Sequence, residues 1–371
     1  MPASLLRCLA AALLASQGLG CMSTPQAARP PEKPTASPVR SFAKPAATAP
    51  MADPALAERA EVRAFIAEMV ERHGFAAEAL TALLARARRL PEVLRLIAPA
   101  QPGVRKDWRT YRARVIDPIR IRAGLRFWQE HAETLTRAQA QWGVPPEIVV
   151  SIIGVETLYG RYTGSFRVLD TLYTLAFDEP RRFAFFREEL EHFLVLTREQ
   201  GIDPLAPKGS FAGAIGIPQF MPGSIRRHAT DFDGDGRIDL SASPVDAIGS
   251  VARFLARHGW RPGEPTHFAA TIEDPTRLGP LIAAGIEPER TLEELARWGV
   301  SSPEPISPEM RLALIDLPNG ERPASHVLGA RNFYVVTRYN RSSFYAMSVI
   351  DFAQTLAALR DTQAGKTPVD R

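Results

Sequence analysis

Cysteine is all but absent from this chain: Cys8 and Cys21 are its two copies. Cys8 falls inside a predicted leader that is removed on export, so the mature chain can form no internal disulfide and must be stabilised by its core. With 371 residues, 45% of them hydrophobic, it is long enough to build one. A strong charge of one sign is missing too, since the net charge of +4 falls by one, to +3, with the loss of Arg7. So modest an excess suits an anionic polymer or a membrane surface. No basic stripe with interleaved aromatics occurs, and no nucleic acid partner is expected. The seven histidines show no zinc-type spacing such as H-E-x-x-H. The glycine-rich stretch Gly209 to Ser224 lacks the Lys-Ser/Thr ending of a phosphate loop, which excludes nucleotide binding there.

What is present begins with a leader. Residues 1–20 carry one charge, Arg7, and an apolar stretch from Leu9 to Ala15 that is too short to remain as a membrane span. Gly18-Leu19-Gly20-Cys21 resembles a lipoprotein processing site, with Gly18 where Leu is usual; lipidation of Cys21 is expected, the alternative being an ordinary cleaved signal. Residues 21–52 are rich in Pro, Ala, Ser and Thr, without a hydrophobic period. They predict an extended tether of about 30 residues, reaching at most ~90 Å at polyproline spacing.

From residue 53 the pattern turns helical. Val62, Phe65, Ile66, Met69 and Val70 recur at helical spacing with Gly74 as the stop, and a second helix is expected from Ala76 to Leu90, broken by Pro91. Asp117 and Pro118 predict the cap and first residue of one long helix with Ile121, Leu125, Trp128, Leu135 and Trp142 inward. Pro180 predicts the start of another, with Phe183, Phe186, Leu190, Phe193 and Leu194 inward. Arg181 and Arg182 then stand in its first turn, against the positive end of the helix dipole, which suits a bound anion. Pairing with Glu188 or Glu189 is the alternative. Pro244 to His258 predicts a further helix. Residues 262–335 read as a small mixed region: short helices at Leu281 to Gly285 and Leu292 to Trp298, a strand at Arg311 to Leu317, a turn at Asn319-Gly320 and a strand at Phe333 to Thr337. Residues 336–371 bring a final helix from about Ser343 to Leu359 and a loose tail.

The chain is organised around Val144 to Gly164, VPPEIVVSIIGVETLYGRYTG, in which the acid Glu156 sits in an otherwise apolar run. Pro145 and Pro146 open a helix, and Gly160 closes it. Glu156 shares a face with Ile152, Ile153 and Tyr159, near the negative end of the helix dipole. Desolvation and the dipole both favour its neutral form, as a general acid near neutral pH requires. A partner-satisfied buried acid is the alternative. A second constellation is Asp231-Phe232-Asp233-Gly234-Asp235-Gly236, the first half of a calcium loop, although Ala242 stands where its closing Glu would be. Three acids so close favour a bound cation over a solvated acidic turn, and Ser243-Pro244-Val245-Asp246 reads as a capping box.

IIGVET, YGRYTG, PRRF, KGSFAGAIGIPQFMPGS, DFDGDG and PVDAIGSVA, in this order between Val62 and Leu359, resemble the membrane-bound lytic murein transglycosylase B family, which is lysozyme-like. The resemblance implies a mainly α (α+β) fold: a lysozyme-like helical core within 53–261, an N-terminal helical region, and a small inserted mixed α/β subdomain at 262–335. It implies that Glu156 is catalytic and that Tyr111, Arg181, Arg182, Ser210, Gln219, Tyr339 and Asn340 meet substrate. Tyr111 read alone is equally a packing residue, and Asn340 a turn residue. It also implies structural calcium in the loop 231–246, held by Asp231, Asp233, Asp235, the Arg237 carbonyl and Asp246, with no cofactor for the chemistry. Phe254 stands where the family often has Tyr.

Glycoside hydrolysis ordinarily uses two carboxyls. Asp170 and Asp178 are the nearest candidates in sequence, and each is easily a cap or a surface residue. With one acid the resembled reaction is non-hydrolytic: Glu156 protonates the bridge oxygen between N-acetylmuramic acid and N-acetylglucosamine, then as a base takes the C6 hydroxyl proton, closing a 1,6-anhydro ring. The rivals are a hydrolytic muramidase and a non-catalytic peptidoglycan-binding scaffold. The expected setting is a periplasmic monomer anchored to the outer membrane, with glycan strands as substrate and cell-wall enzyme complexes as candidate partners.

Overall fold

The computed structural model describes residues 53–99, 103, 105–363 and 365; the predicted leader, Cys21 and the tether lie outside them. The described residues divide into two compact units between Ala87 and Arg88. The first holds α1 (Pro54–Glu58), α2 (Ala60–His73) and α3 (Ala77–Leu84). Asp53 caps α1 through its carboxylate, and Gly74 ends α2 in the left-handed region. The second predicted helix is shorter than expected, because the chain leaves α3 after Leu84.

In the second unit Pro91 starts a helix instead of merely ending one: α4 (Pro91–Ile97) is followed by α5 (Trp108–Val115), α6 (Pro118–Glu130), α7 (Ala132–Trp142) and α8 (Pro146–Thr157). The single long helix expected after Asp117 is two, since His131 leaves helical geometry between α6 and α7. Asp117 does cap α6, accepting from Ile119 and Arg120 N–H. Trp128 and Leu135 are buried as expected, but the inward face of α6 is completed by Arg120, Gly124 and Phe127. Next come β1 (Phe166–Arg167), α9 (Val168–Asp178), α10 (Phe183–Glu199), β2 (Lys208–Gly209), which pairs with β1, α11 (Pro222–His228) and α12 (Pro244–Arg257). The α10 helix begins three residues later than Pro180 predicted, and Phe183 is 54% exposed instead of inward.

The remainder contains β3 (His267–Ala269), β4 (Thr271–Ile272), α13 (Gly279–Ala283), α14 (Leu292–Ala296), β5 (Val300–Ser301), β6 (Ala313–Asn319), β7 (Arg322–Gly329), α15 (Arg331–Tyr339) and α16 (Ser343–Gln363). An antiparallel sheet of order β3-β7-β6 carries the Asn319-Gly320 hairpin, and Phe268, Leu281, Leu295, Leu312 and Leu328 share one apolar cluster with it. The strand expected at Phe333 to Thr337 is helix α15. Its β-branched Val335, Val336 and Thr337 suggest a strand, but Phe333 and Val336, three apart, and Asn332 and Val336, four apart, are all buried as a helix face requires.

The α8 helix is the centre of this unit. It is buried on nearly all sides, packed among α6, α7, α12 and α16. Gly154 lets it run close: a methyl group there would meet the Tyr159 hydroxyl at 2.3 Å, and one on Gly124 of α6 would meet the same hydroxyl at 2.5 Å. The Tyr159 side chain therefore fills a slot that only two glycines leave open, directly behind the turn that carries Glu156.

Candidate active site

Glu156 stands in the last turn of α8, and the chain then turns through three successive left-handed residues, Leu158 (φ 49°), Tyr159 (φ 60°) and Gly160 (φ 83°). The first two are non-glycine, a conformation costing ~1–3 kcal/mol each. Specific contacts hold it. The Thr157 hydroxyl, on a residue 1% exposed, donates to the Ile217 carbonyl at 2.8 Å and accepts from Gly160 N–H at 2.9 Å. Arg120, 6% exposed, donates through Nε to the Gly154 carbonyl (3.1 Å) and through Nη1 to Val115 O (2.7 Å) and Asp117 Oδ2 (2.6 Å). One buried guanidinium thus joins the ends of α5 and α6 to α8.

The carboxyl of Glu156 accepts a 2.7 Å hydrogen bond from the Tyr345 hydroxyl, contributed by α16. Burial pushes its pKa up to about 7, with the Tyr345 bond opposing the rise. The Glu156 charge in turn is felt by Tyr339 and Tyr345, whose hydroxyls are raised first by burial. Tyr111 lies on the same side, coupled electrostatically to Tyr345 and packed on Trp108 and Phe344. The packing reading of Tyr111 is thus seen directly, and its place beside Tyr345 leaves the sugar contact as an expectation.

Tyr339 closes α15; its hydroxyl donates to the Pro218 carbonyl at 2.5 Å and its ring meets Phe254 and Phe220. Asn340 is 6% exposed with its side-chain oxygen buried and without a hydrogen-bond partner. An orphaned buried acceptor costs stability unless a ligand satisfies it. Gln219, itself left-handed at φ 53°, donates its amide N–H groups to Thr163 O and Gly216 O. The Ser210 hydroxyl accepts from Ala212 and Ala214 N–H, shaping the glycine loop. Gly216 is obligatory in that loop, since a methyl there would lie 2.4 Å from the Leu240 carbonyl. The loop ends sooner than expected, as Gly223 and Ser224 belong to α11.

Arg181 and Arg182 precede α10 instead of occupying its first turn. Glu179, a buried acid, accepts from both backbone N–H groups and from Arg181 Nε at 3.2 Å. The partner of Arg181 is therefore Glu179, not Glu188 or Glu189. Arg182 lies over the rings of Phe185 and Phe186, and burial lowers its pKa. No second carboxylate is paired with Glu156 among the described residues: Asp170 is held by Arg167 at 2.5 Å and by Arg88 N–H, and Asp178 by Arg89 at 2.8 Å.

In the acidic loop, ligand oxygens of Asp231, Asp233 and Asp246 lie within 4.8 Å of one another. This donor set suits a hard divalent cation. Asp246, 1% exposed, receives Phe232 and Asp239 N–H on its two oxygens. The predicted capping box is thus only half formed: Ser243 caps the Asp246 N–H, while the Asp246 carboxylate serves the loop. Asp235 is exposed, outside the three-acid group, and its carboxylate accepts from Arg237 N–H.

A mainly helical core that presents one desolvated carboxyl hydrogen-bonded to a tyrosine is what a lysozyme-like lytic transglycosylase requires. The chain belongs to the family described as Transglycosylase SLT domain, whose model matches residues 57–354. It is 41% identical over 304 residues to membrane-bound lytic murein transglycosylase B of Escherichia coli (strain K12), covering 80% of this chain and 82% of that protein. Soluble lytic transglycosylase SltB1 from Pseudomonas aeruginosa is 45% identical, with a TM-score of 0.75 over 81% of this chain and 99% of that one. The Escherichia coli lytic transglycosylase Slt35 in complex with calcium is 40% identical, with a TM-score of 0.72 over 82% and 95% of the two chains.

Tyr345, Arg120, Glu179 and Thr157 were not foreseen from the sequence. Arg120 alone carries a usable signal: it is a cation in the first turn after Asp117-Pro118, set against the dipole, the same pattern that singles out Arg181 and Arg182 in the sequence.

The raised pKa of Glu156 has a stability consequence. Between pH ~4.5 and ~7 the folded chain holds a proton that the unfolded chain has lost, so stability falls as pH rises through this window and stays lower above it. Glu156→Gln removes that dependence. Its stability relative to the parent is expected to grow by roughly 1–3 kcal/mol from pH 4.5 to pH 8, scaled down because the residue, although its carboxyl is desolvated, is half-buried and keeps some solvent contact. Denaturant titrations of both proteins at the two pH values measure this, and a constant difference would refute the assignment.

Proposed function

We propose that Glu156 is the single proton carrier of the reaction, acting first as acid and then as base. The protein cleaves peptidoglycan by transglycosylation as a lytic murein transglycosylase; the assignment of roles to its residues rests on the geometry of the site. A carboxyl with pKa about 7 is partly protonated near neutral pH and can give its proton to the bridge oxygen between MurNAc and GlcNAc. The N-acetyl group of the substrate stabilises the cationic centre. Glu156, now ionised and held by the Tyr345 hydroxyl, takes the proton from the C6 hydroxyl, which attacks C1 and closes the 1,6-anhydro ring. Water is not consumed.

In this reading Tyr111, Tyr339, Asn340, Gln219 and Ser210 line the sugar site, and Asn340's orphaned oxygen is met by a sugar N–H or hydroxyl. Arg181 and Arg182 receive a substrate carboxylate, with Glu179 fixing their backbone. The observation that carries the proposal is the solitary, desolvated carboxyl of Glu156 beside Tyr345. Digestion of purified murein with the parent and with Glu156→Gln tests it. Products lighter by one water than the hydrolytic ones are expected from the parent and absent from the variant; water-added ends would make the protein a muramidase using the same acid.

Calcium is assigned to the acidic loop, with Asp231, Asp233 and Asp246 as ligands that the cluster supports directly. The Arg237 carbonyl and Asp235 complete the set by resemblance. The ion would stiffen the loop and has no part in bond cleavage. A ligand that binds only the folded state stabilises it by about 2.7 kcal/mol at a hundred times Kd. Millimolar calcium is therefore expected to raise Tm by several degrees in the parent and not in Asp233→Asn, as scanning calorimetry would read; an unmoved parent Tm would sink the assignment.

No helix among the described residues is long and apolar enough to cross a membrane. The curated relative is membrane-bound by name. Attachment of this chain is assigned to a lipid on Cys21, followed by the tether 21–52, which would hold the enzyme at the outer membrane on the periplasmic side and let it act on nearby glycan strands as a monomer. Cys21→Ser is expected to move the protein from the membrane fraction to the soluble fraction of the cell, with murein cleavage in vitro unchanged. Retention of the variant in membranes would refute the anchor.

A further inference from the structure

The turn that follows Glu156 is strained, half-buried and tied to a second loop by one buried hydroxyl. Thr157 sits one residue after the acid and is 1% exposed, and its hydroxyl favours the Ile217 carbonyl at 2.8 Å over the Ile153 carbonyl of its own helix at 3.4 Å. It donates to the Ile217 carbonyl at 2.8 Å and accepts from Gly160 N–H at 2.9 Å, across the left-handed run Leu158 to Gly160. The Thr157 carbonyl accepts from Tyr162 N–H at 3.0 Å, so the residue closes the turn at both ends. Ile217 is itself pinned: its N–H donates to the Leu240 carbonyl at 2.7 Å. Its neighbour Pro218 accepts from the Tyr339 hydroxyl, and Gln219 bonds to Thr163 and Gly216. A single side-chain hydroxyl therefore joins the end of the catalytic helix to the loop that fixes Tyr339 and Gln219.

We infer that Thr157 is a positioning residue for the reaction, setting where the Glu156 carboxyl stands relative to the Tyr339 and Gln219 side of the site. The inference rests on the reading of Glu156 as the proton carrier. One carboxyl must meet two different substrate oxygens in succession, the bridge oxygen and O6, so its placement tolerates little error. A displacement of about 1 Å can cost two orders of magnitude in rate. A threonine is required rather than a valine of the same shape, because valine would leave the buried Ile217 carbonyl and Gly160 N–H without this partner, and the strained turn would relax.

The test is steady-state kinetics on soluble glycan strands with Thr157→Val, Thr157→Ser and Glu156→Gln, together with pH profiles and thermal melts. Thr157→Val is expected to lower kcat by about 10- to 100-fold with KM within about twofold, and to move the alkaline limb of the kcat profile to lower pH as the carboxyl becomes better solvated. Thr157→Ser is expected to return kcat to within about threefold of the parent. Unchanged kcat and pH profile in a folded Thr157→Val would overturn the inference, as would a loss of rate that disappears when the assay is run well below the variant's Tm. Should Thr157→Val not fold, Thr157→Cys, a much weaker donor, takes its place under the same criteria. Activity retained by Glu156→Gln would instead remove the acid assignment. An inactive Glu156→Gln beside a fully active Thr157→Val would remove only the role of Thr157.

Discussion

The hydrogen bond from Tyr345 to Glu156, made in a poorly hydrated setting, is the interaction around which this enzyme is arranged. A carboxylate loses solvation when buried, and one phenol donor restores only part of it. The two effects oppose each other and leave the acid near neutral pKa. Neither partner could be placed by a short segment of chain, because they are 189 residues apart and meet only when α16 packs along α8. The fold is thus needed to create the site, not merely to present it.

Around this pair the scaffold works by removing freedom. Tyr159 occupies the slot left by Gly124 and Gly154, Arg120 gathers the ends of α5 and α6 onto the Gly154 carbonyl, and Thr157 binds the following turn to Ile217. These contacts offset the cost of two non-glycine residues in left-handed geometry directly after the acid. Arg120 and Thr157 each use a buried polar group whose donors find backbone carbonyls, whereas Tyr159 acts by filling space, its buried hydroxyl having no hydrogen-bond partner among the described residues. The same economy extends to the glycine loop, where Gly216 allows the Leu240 carbonyl to come close and Leu240 in turn receives Ile217 N–H. Leu240 lies within the acidic segment 231–246, so the frame of the acid and the frame of the cation-type loop share a backbone contact.

Much of this was legible in the sequence, for reasons that differ by element. The α8 helix was readable because Pro145, Pro146 and a nearly continuous apolar run leave few other outcomes, and Glu156 stood out as the acid beyond its first turn, where Glu147 merely suits the helix start. The acidic loop was readable because its oxygens alternate at fixed positions. Helix α15 was not, since β-branched residues favour strands locally and only tertiary burial of Phe333 and Val336 on one face decides the matter. The start of α10 was misjudged because Glu179, not Pro180, organises the turn, taking both arginine N–H groups onto one buried carboxylate. Tyr345 gave no local sign at all. A tyrosine early in a helix is ordinary, and its partner is invisible until the helix has a place.

In the proposed reaction, a pKa near 7 also bears on why one residue would serve both halves. A carboxyl left at 4.5 would be almost wholly ionised at neutral pH and a poor donor to the bridge oxygen. One raised much further would stay protonated, as a weaker acid in the first half. The ideal value for a group that gives and then accepts a proton lies close to the working pH, where both forms are populated and neither transfer is strongly uphill. Burial alone raises Glu156, and the Tyr345 bond limits that rise because it favours the ionised form. In that scheme the phenol would be most valuable midway, when the proton has left and the carboxylate waits, charged and poorly solvated, for the C6 hydroxyl. Tyr345 stays protonated throughout, since burial and the adjacent carboxylate both raise its own pKa. It can hold the anion without competing for the proton, which leaves the substrate's hydroxyl as the group that supplies it.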